Sequence, residues 1–371
     1  MRILVVNWQD LGNPLAGGAE VHLHEVFSRI AAAGHHVTVL CSRFPGAQRE
    51  EVVDGLRIVR AGGRFLFNFT VLREYIAGLR GEKFDVVVDD MNKIPFFTPL
   101  YVREPVCGIM HHLFGRSIYQ ETNPLVASYV YLMERAAVGL YRRRRTPFIA
   151  VSPSTRDELI ERGLRKDDVT IIHLAVDHAL HRRTGISRSP TPLIGYFGRL
   201  KKYKCVDHIL RALPSVLRSM PELKFLIVGD GDDRPRLEAV AARCGIAHAV
   251  QFTGFVPPGR KVELLQQMWF KVASSSKEGW GLTVLEANAC GTPVLASNVP
   301  GLRDAVRDNE TGLLYRFGDI ADLGKKMELL LGDRVLRERL GASSVVWAGK
   351  FTWENAAQKT LELLEHKARA S

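Results

Sequence analysis

The sequence predicts an α/β protein of two domains, each built on a doubly wound parallel sheet. Strand-length apolar runs alternate with amphipathic, helix-length segments along the whole chain, which is the pattern of such sheets. The apolar runs are continuous, as expected for strands that are covered on both faces. The 371 residues exceed one ordinary core and suit two. We therefore expect two Rossmann-like domains whose parallel sheets face a deep interdomain cleft.

The first half opens with a βαβ unit. MRILVVN (residues 1–7) predicts a strand, and VHLHEVFSRIAAAG (21–34) places its apolar residues largely on one helical stripe and ends at a glycine. HHVTVLCS (35–42) predicts the next buried strand, and FDVVVDD (84–90) and PVCGIMHH (105–112) continue the sheet.

The second half repeats this order, beginning with the strand in TPLIGYFGRLKKYKC. Further strands and helices alternate after it. The predicted helices are VDHILRALPSVLRSM, PRLEAVAARCG, GRKVELLQQM and GLTVLEANAC, and the predicted strands are LKFLIVG, AVQFTGFV, FKVASSS and TPVLAS.

A polar segment with two prolines, RTGISRSPTP, indicates a linker between the halves. We expect an N-terminal domain over 1–184, a linker over 185–192 and a C-terminal domain over 193–350. The last segment, 351–371, is expected to be a helix that crosses back to the N-terminal domain.

Composition excludes several classes of protein. The chain is 46% hydrophobic and 25% charged, as in globular proteins. The first apolar run is too short for a secretory leader, and no run approaches the ~18 residues of a membrane-spanning helix, so we expect a cytoplasmic protein. The five cysteines are scattered and never spaced C-x-x-C, which predicts reduced thiols and no zinc site. The net charge of +11 is explained by an ordinary basic surface or, if it is functional, by an anionic ligand, an anionic membrane surface or nucleic acid.

Glycine-rich turns precede two of the predicted helices. They are GGAE (17–20) and GWGLT (279–283), whereas neither a G-x-G-x-x-G motif nor a complete P-loop is present. Glycines let backbone amides approach a ligand, and a helix N-terminus attracts anions. For GGAE alone, an ordinary loop is the simpler interpretation.

Two glutamates eight positions apart, Glu278 and Glu286, flank the second turn. A carboxylate next to a phosphate is repelled, but it accepts hydrogen bonds from vicinal sugar hydroxyls. A phosphate at the helix end with a hydroxyl-bearing ring on either side is the layout of a nucleoside diphosphate sugar. A capping glutamate and a surface glutamate would explain the residues equally well.

Two cations follow the first strand of the second half, Arg199 and Lys204. At the C-terminal edge of a parallel sheet they would lie on the ligand side and neutralise a diphosphate without a metal ion. We expect no metal site at the aspartate pairs 89–90 and 232–233, which are typical of turns at strand ends.

Taken together, these residues resemble the retaining glycosyltransferases of family 4, which have the GT-B architecture. KEGWGLTVLEANACGTPVLAS matches the E-x7-E motif of that family, and GRL with the following Lys204 matches its diphosphate-binding pair. VGDGDD, FTGFV, VPGLRDAVRDNETGLL and GGAE also stand where the family has them. The resemblance is dense over 195–320 and weaker over 1–180. One departure is Cys205, where the family usually has glycine.

The resemblance implies a role for each matching residue. Glu286 would hold the ribose hydroxyls and Glu278 those of the donor sugar, while His111 would be the active-site histidine. The implied catalytic residues are Arg199, Lys204, Glu278 and His111. The implied donor-binding residues are Glu286, Gly281, Leu282, Thr283, Gly229, Phe255 and Val256, and Gly17 and Gly18 would form the acceptor-side phosphate loop.

The implied reaction transfers a sugar from a nucleoside diphosphate donor to an acceptor hydroxyl with retention of anomeric configuration. The resemblance implies no cofactor beyond the sugar nucleotide, and an acceptor that is a sugar, a lipid-linked glycan or a small molecule. Cell-envelope glycan, glycolipid or secondary-metabolite synthesis would use such an enzyme. A phosphorylase-like or epimerase-like enzyme and a non-catalytic nucleotide-sugar or nucleic-acid binding protein are the alternatives. We expect no nucleic acid, because the aromatic residues fall in phase with strands and helices.

Residues 113–145 include a mostly apolar, helix-length segment that ends in four arginines, 142–145. Tyrosines with a terminal arginine cluster suit a helix in the headgroup region of an anionic membrane. A helix buried in the N-terminal domain, with solvated arginines at its C-terminal end, is the interpretation that we favour. The arginines remain candidates for a peripheral contact with the inner membrane face.

Overall fold

The computed structural model describes residues 1–63, 66–91, 94–120 and 122–369. The chain forms two compact units, one of Met1–Leu174 with Trp353–Ser371 and one of Ala175–Thr352. The segment expected as a linker, 185–192, lies within the second unit. Arg188 holds it there by donating to the carbonyl oxygen of Gln266 (2.9 Å), the hydroxyl of Thr292 (2.7 Å) and three further carbonyl oxygens.

In the described part of the first unit, eight strands form one sheet in the order β3-β4-β2-β1-β5-β6-β7-β8. All neighbours are parallel except β3 and β4. The strands are β1 (Arg2–Val6), β2 (His36–Ser42), β3 (Glu50–Val53), β4 (Leu56–Ala61), β5 (Val86–Met91), β6 (Val106–Met110), β7 (Phe148–Ala150) and β8 (Val169–Ile171).

The helices of the first half cover this sheet. They are α1 (Gly18–Ala32), α2 (Phe67–Ala77), α3 (Pro124–Arg143) and α4 (Pro153–Glu161). Both α3 and α4 begin with proline, after side chains of Asn123 and Ser152 that accept from backbone amides and cap the helix. Within 113–145, α3 follows a 3-10 turn at Gly115–Gln120, and Glu121 lies outside the described residues.

The second unit contains a parallel sheet of six strands among the residues described, in the order β11-β10-β9-β12-β13-β14. The strands are β9 (Leu193–Phe197), β10 (Lys224–Val228), β11 (Val250–Gly254), β12 (Phe270–Ala273), β13 (Val294–Ser297) and β14 (Gly312–Tyr315). Apart from the edge strand β11, which is only partly buried, their apolar runs are mostly buried, which explains their continuous hydrophobicity.

Seven helices in the described residues belong to the second unit. They are α5 (Val206–Ser219), α6 (Arg234–Arg243), α7 (Pro258–Gln267), α8 (Leu282–Ala289), α9 (Leu302–Ala305), α10 (Ile320–Gly332) and α11 (Arg334–Ala348). Apolar residues of α5 and α10 form the core with the strands, including Leu210, Leu213, Phe225, Phe270 and Leu330.

The last helix, α12 (Trp353–Arg369), returns to the first unit. It packs on α1, β5 and β6, and it buries Trp353 and Leu364. Arg29 of α1 donates from Nε to Oε1 of Glu354 at 2.9 Å. The two parallel-sheet domains and the returning helix confirm the predicted fold class.

Candidate active site

The second sheet reverses its strand order between β9 and β12, because β10 and β13 extend it in opposite directions. In doubly wound sheets, ligands bind beyond the carboxyl ends of the strands at such a switch point. The loop after β9 carries Arg199 and Lys204, and the loop after β12 carries Glu278. The fold therefore brings together the loops with three of the predicted catalytic residues.

Lys204 and Glu278 form an ion pair at this point. The ammonium group of Lys204 donates to Oε1 of Glu278, and the hydroxyl of Ser275 donates to the same oxygen at 2.6 Å. Burial lowers the pKa of Lys204, but the Glu278 charge outweighs this effect and the pKa is raised. Lys204 is therefore a permanent cation in a half-buried position.

Arg199 is exposed on the loop that follows β9. Its carbonyl accepts from Tyr196 Oη at 3.0 Å, and the amide of Leu200 donates to the carbonyl of Asp230 at 2.9 Å. A Cβ atom on Gly229 would lie 2.1 Å from the carbonyl oxygen of Gly198, and Gly229 has φ +128°. Gly229 was predicted as a donor-binding residue. In the structure, its lack of a side chain lets the loop that carries Arg199 pass close to the end of β10.

The turn between β12 and α8 also depends on glycines. Gly281 caps α8 with φ +88°, and the amides of Leu282 and Thr283 stand in the first turn, where a helix has no carbonyl partners of its own for its N–H groups. A Cβ atom on Gly301 would lie 2.2 Å from the carbonyl oxygen of Glu278. Close packing of this second loop therefore holds Glu278 beside the N-terminus of α8.

Glu286 lies on α8 and is 8% exposed. Lys261 of α7 places its ammonium nitrogen 2.5 Å from Oε2, and His181 places Nε2 3.8 Å from Oε1. Neither Lys261 nor His181 was predicted from the sequence. No local pattern marks them, because they lie 25 and 105 positions before Glu286 in the sequence.

Lys271, a buried lysine on β12, was also not predicted from the sequence. Lys271 is 1% exposed, and burial lowers its pKa to about 7 although the charges of Glu286 and Glu278 raise it. A lysine within the apolar run FKVA was the signal that could have revealed this position.

Phe255 and Val256, which are predicted to border the base, follow β11 and precede α7. The Phe255 side chain is 84% exposed, and Val256 is partly buried. An exposed aromatic ring beside this edge of the sheet has a free face that suits stacking on a nucleobase.

The remaining predicted residues lie in the first unit. His111 follows β6, and its Nε2 lies 3.4 Å from Oδ1 of the buried Asp90. Burial lowers the pKa of His111, but the Asp90 charge reverses the effect and the pKa is raised. Gly17 donates from its amide to Oε2 of Glu20 at 2.7 Å, and Gly18 begins α1. The structure thus distributes the predicted residues over both units.

The aspartate pairs have protein partners. Asp89 accepts from the hydroxyls of Thr98 and Tyr141. Burial raises its pKa to about 6. In the second unit, Asp232 pairs with Lys201 at 2.7 Å, and Asp233 accepts from Arg236 at 2.6 Å. Within the described residues, no group of three or more His, Cys, Asp or Glu side chains could hold a metal ion.

Two protein-family models match the chain in succession. The model described as Glycosyltransferase Family 4 matches residues 16–180, and the model described as Glycosyl transferases group 1 matches residues 179–345. These correspond to the first half of the chain, with Gly17 and His111, and to the second half, with both glutamates. The chain belongs to the family 4 glycosyltransferases. Neither match favours a non-catalytic binding protein.

Curated relatives are named for different reactions. The D-inositol 3-phosphate glycosyltransferase of Nocardia farcinica is 39% identical over 215 residues, which cover 54% of this chain and 48% of that protein. The chain thus spans about half the length of such relatives. The glycogen synthase of Mycobacterium tuberculosis H37Rv is 27% identical over 400 residues, which cover 98% of this chain and 94% of that protein.

Solved structures share the GT-B fold. Sucrose-phosphate synthase of Thermosynechococcus elongatus has a TM-score of 0.84 at 21% identity and covers both chains fully. HepE of Anabaena in complex with UDP-glucose has a TM-score of 0.80 at 19% identity, covering 99% of this chain and all of that chain. At this identity the likeness establishes the fold.

The basic helix α3 packs one face on the first unit. Ala127, Val130 and Tyr141 are buried, as the favoured interpretation of this segment expects, while Leu125 and Leu132 are exposed. Arginines 142–145 are exposed at and beyond its C-terminal end. Across the described residues, no helix combines the length and apolar character that crossing a membrane requires.

Proposed function

We propose that this protein transfers a sugar from a nucleoside diphosphate sugar to an acceptor hydroxyl with retention of anomeric configuration and without a metal ion. The observation that carries the proposal is the ion pair of Lys204 and Glu278 beside the N-terminus of α8. A cation suited to a diphosphate and a carboxylate suited to sugar hydroxyls thus adjoin the first turn of a helix, which supports the proposal.

In the proposed reaction, the bond between the anomeric carbon and the phosphate oxygen breaks as the acceptor oxygen bonds to the same face of that carbon. The acceptor proton passes to the departing phosphate oxygen. Negative charge that grows on the diphosphate is stabilised by Arg199, Lys204 and the amides of Leu282 and Thr283.

A double-displacement mechanism would instead need a carboxylate nucleophile beneath the anomeric carbon. Glu278 is the candidate that the sequence offers, and Lys204 and Ser275 both donate to its Oε1. These contacts lower the nucleophilicity of that oxygen and suit a carboxylate that accepts sugar hydroxyls. The proposal therefore assigns Glu278 to the donor sugar and retention to a front-face substitution.

His111 would act from the first unit. Burial lowers the pKa of His111, but the charge of Asp90 raises it above its usual value, and we assign the ring to a hydroxyl of the reacting sugars. Gly17 and Gly18 at the start of α1 would bind the acceptor or a phosphate that it carries.

The donor and acceptor are to be identified by assay. Since HepE was solved with UDP-glucose, UDP-glucose is the first donor to test, followed by GDP-, ADP- and TDP-sugars. D-inositol 3-phosphate, an α-glucan and a lipid-linked sugar represent the acceptor classes. Release of free nucleoside diphosphate that depends on the acceptor would support transfer. Donor binding without release for any acceptor would instead favour a binding protein.

Retention and metal independence have separate readouts. We expect the anomeric configuration of the product, measured by NMR, to equal that of the donor, and activity to survive excess EDTA. Inversion would refute the front-face mechanism, and a loss of activity that magnesium restores would refute metal independence.

A further inference from the structure

Glu286 has one close cationic partner in the described structure, Lys261. The ammonium nitrogen of Lys261 lies 2.5 Å from Oε2 of Glu286, and the two side chains are 25% and 11% exposed. Lys261 stands in the first turns of α7, whereas Glu286 stands on α8, so the contact joins two separate helices. A partly buried pair of this kind is screened by solvent less than a surface pair.

The other oxygen of Glu286 faces a neutral group. Nε2 of His181 lies 3.8 Å from Oε1, which is too long for a hydrogen bond. Burial lowers the pKa of His181 although the Glu286 charge raises it, so the ring is uncharged at neutral pH. In the described part of the chain, Nε2 of His181 has no hydrogen-bond partner. Oε1 is therefore open to a further donor.

Lys271 is the other cation that the Glu286 charge influences. It lies on β12, and burial lowers its pKa to about 7, so that its charge is not permanent near neutral pH. Lys204, a third cation near by, already donates to Glu278. Lys261 therefore supplies the stable positive charge next to Glu286.

We infer that Lys261 is a positioning residue of the donor site that sets the preference for ribose. This inference rests on the proposed function, in which Glu286 accepts the ribose hydroxyls. Lys261 lies against Oε2 as an ion pair, although this buried oxygen accepts no hydrogen bond within the described residues. The attraction between the two charges keeps Oε2 turned towards Lys261, which leaves Oε1 for the ligand. The 2′- and 3′-hydroxyls of a nucleoside can then donate to a preorganised acceptor.

The experiment compares UDP with 2′-deoxy-UDP, together with the GDP and ADP pairs, by calorimetric titration. We expect wild-type protein to bind the ribonucleotide about 10- to 100-fold more tightly, as for one hydrogen bond to a charged group. Lys261→Met should reduce this preference at least severalfold and weaken binding of the ribonucleotide. Lys261→Arg should restore most of the preference, because a guanidinium also pairs with a carboxylate.

Arg260→Met is the matched control. Arg260 precedes Lys261 on α7, is 51% exposed and pairs with Glu263, so the preference for ribose should be unchanged in this variant. Circular dichroism verifies that each variant is folded, and Lys261→Gln replaces Lys261→Met if the apolar side chain prevents folding.

The possible results distinguish a failure of the role of Lys261 from a failure of the proposed function. If wild-type protein binds none of the nucleoside diphosphates, the proposed function fails. If it prefers the ribonucleotide and Lys261→Met or Lys261→Gln keeps the full preference, the role of Lys261 alone is overturned. Failure of Lys261→Arg to rescue the preference would likewise contradict a role that depends on positive charge.

Discussion

Lys204 and Ser275 donate to the same carboxylate oxygen, Oε1 of Glu278. The contact joins the loop after β9 to the loop after β12 at the switch point of the second sheet. It holds a cation and an acceptor side by side, so under the proposed function the site would need little rearrangement to bind a diphosphate and a sugar. Such preorganisation lowers the free-energy cost of binding.

Arg199→Ala should slow turnover more than it weakens donor binding. Charge on the leaving diphosphate grows in the transition state, so a cation that meets it there affects kcat more than KM. We expect kcat to fall by about 10²- to 10³-fold, as for other groups that stabilise developing charge. Steady-state kinetics with the donor found by assay measure both constants.

Lys202→Ala is the matched control for Arg199→Ala, because Lys202 is exposed in the same loop. Turnover of this variant should equal that of wild type. Wild-type turnover in Arg199→Ala would refute the role assigned to Arg199.

Glu286→Ala should weaken donor binding with little direct effect on the chemical step. Contacts to the ribose are equal in the ground and transition states, so their loss raises Kd and KM. The loss of hydrogen bonds to a charged acceptor corresponds to a Kd increase of about 10- to 100-fold. Titration with the nucleoside diphosphate checks this, and unchanged affinity would exclude a ribose contact.

Cys205→Gly should stabilise the protein. Cys205 has φ +49°, in the left-handed region, at the position where the family usually has glycine. Relief of this conformation contributes about 1 kcal/mol, and the melting temperature should rise by about 2–4 °C. Cys244→Gly is the control: Cys244 has φ −79°, so glycine brings no gain there. Equal or lower stability of Cys205→Gly would contradict the strain.

Lys271→Met should stabilise the protein more at pH 6 than at pH 9. The folded-state pKa of Lys271 is about 7 and its usual value is 10.5, so between these values the unfolded chain binds more protons. The penalty for burying the ammonium is therefore full below pH 7 and shrinks as the pH rises towards 10.5. Chemical denaturation at both pH values measures the difference, with Lys202→Met as the exposed control. A gain that does not change with pH would show that Lys271 is not buried in this way.

Replacement of arginines 142–145 by serine tests the membrane contact. If the arginines bind an anionic surface, wild-type protein should co-sediment with anionic liposomes at low salt but not at high salt, and the fourfold variant should not. Each arginine near the surface contributes about 1 kcal/mol. The absence of binding at low salt would leave a soluble acceptor as the better proposal.

Much of the fold could be predicted because it is encoded locally. The apolar runs of β1, β9 and β12 are continuous in sequence, and the amphipathic period of α1 or α5 lies within one segment. Arg199 and Lys204 are close together in the sequence, as are Glu278 and Glu286, so both pairs form recognisable local motifs. These features therefore indicated both the α/β class and the family resemblance.

The sequence by itself determined the alternation of strands and helices, the two glutamates and the two cations that follow β9. Tertiary structure alone decided that Lys261 meets Glu286, that His181 faces the same carboxylate and that Lys271 is buried within the influence of its charge. These residues come from separate elements, and their contacts depend on how helices pack on the sheet. The pKa values follow from that packing, because desolvation and neighbouring charges are properties of the folded state.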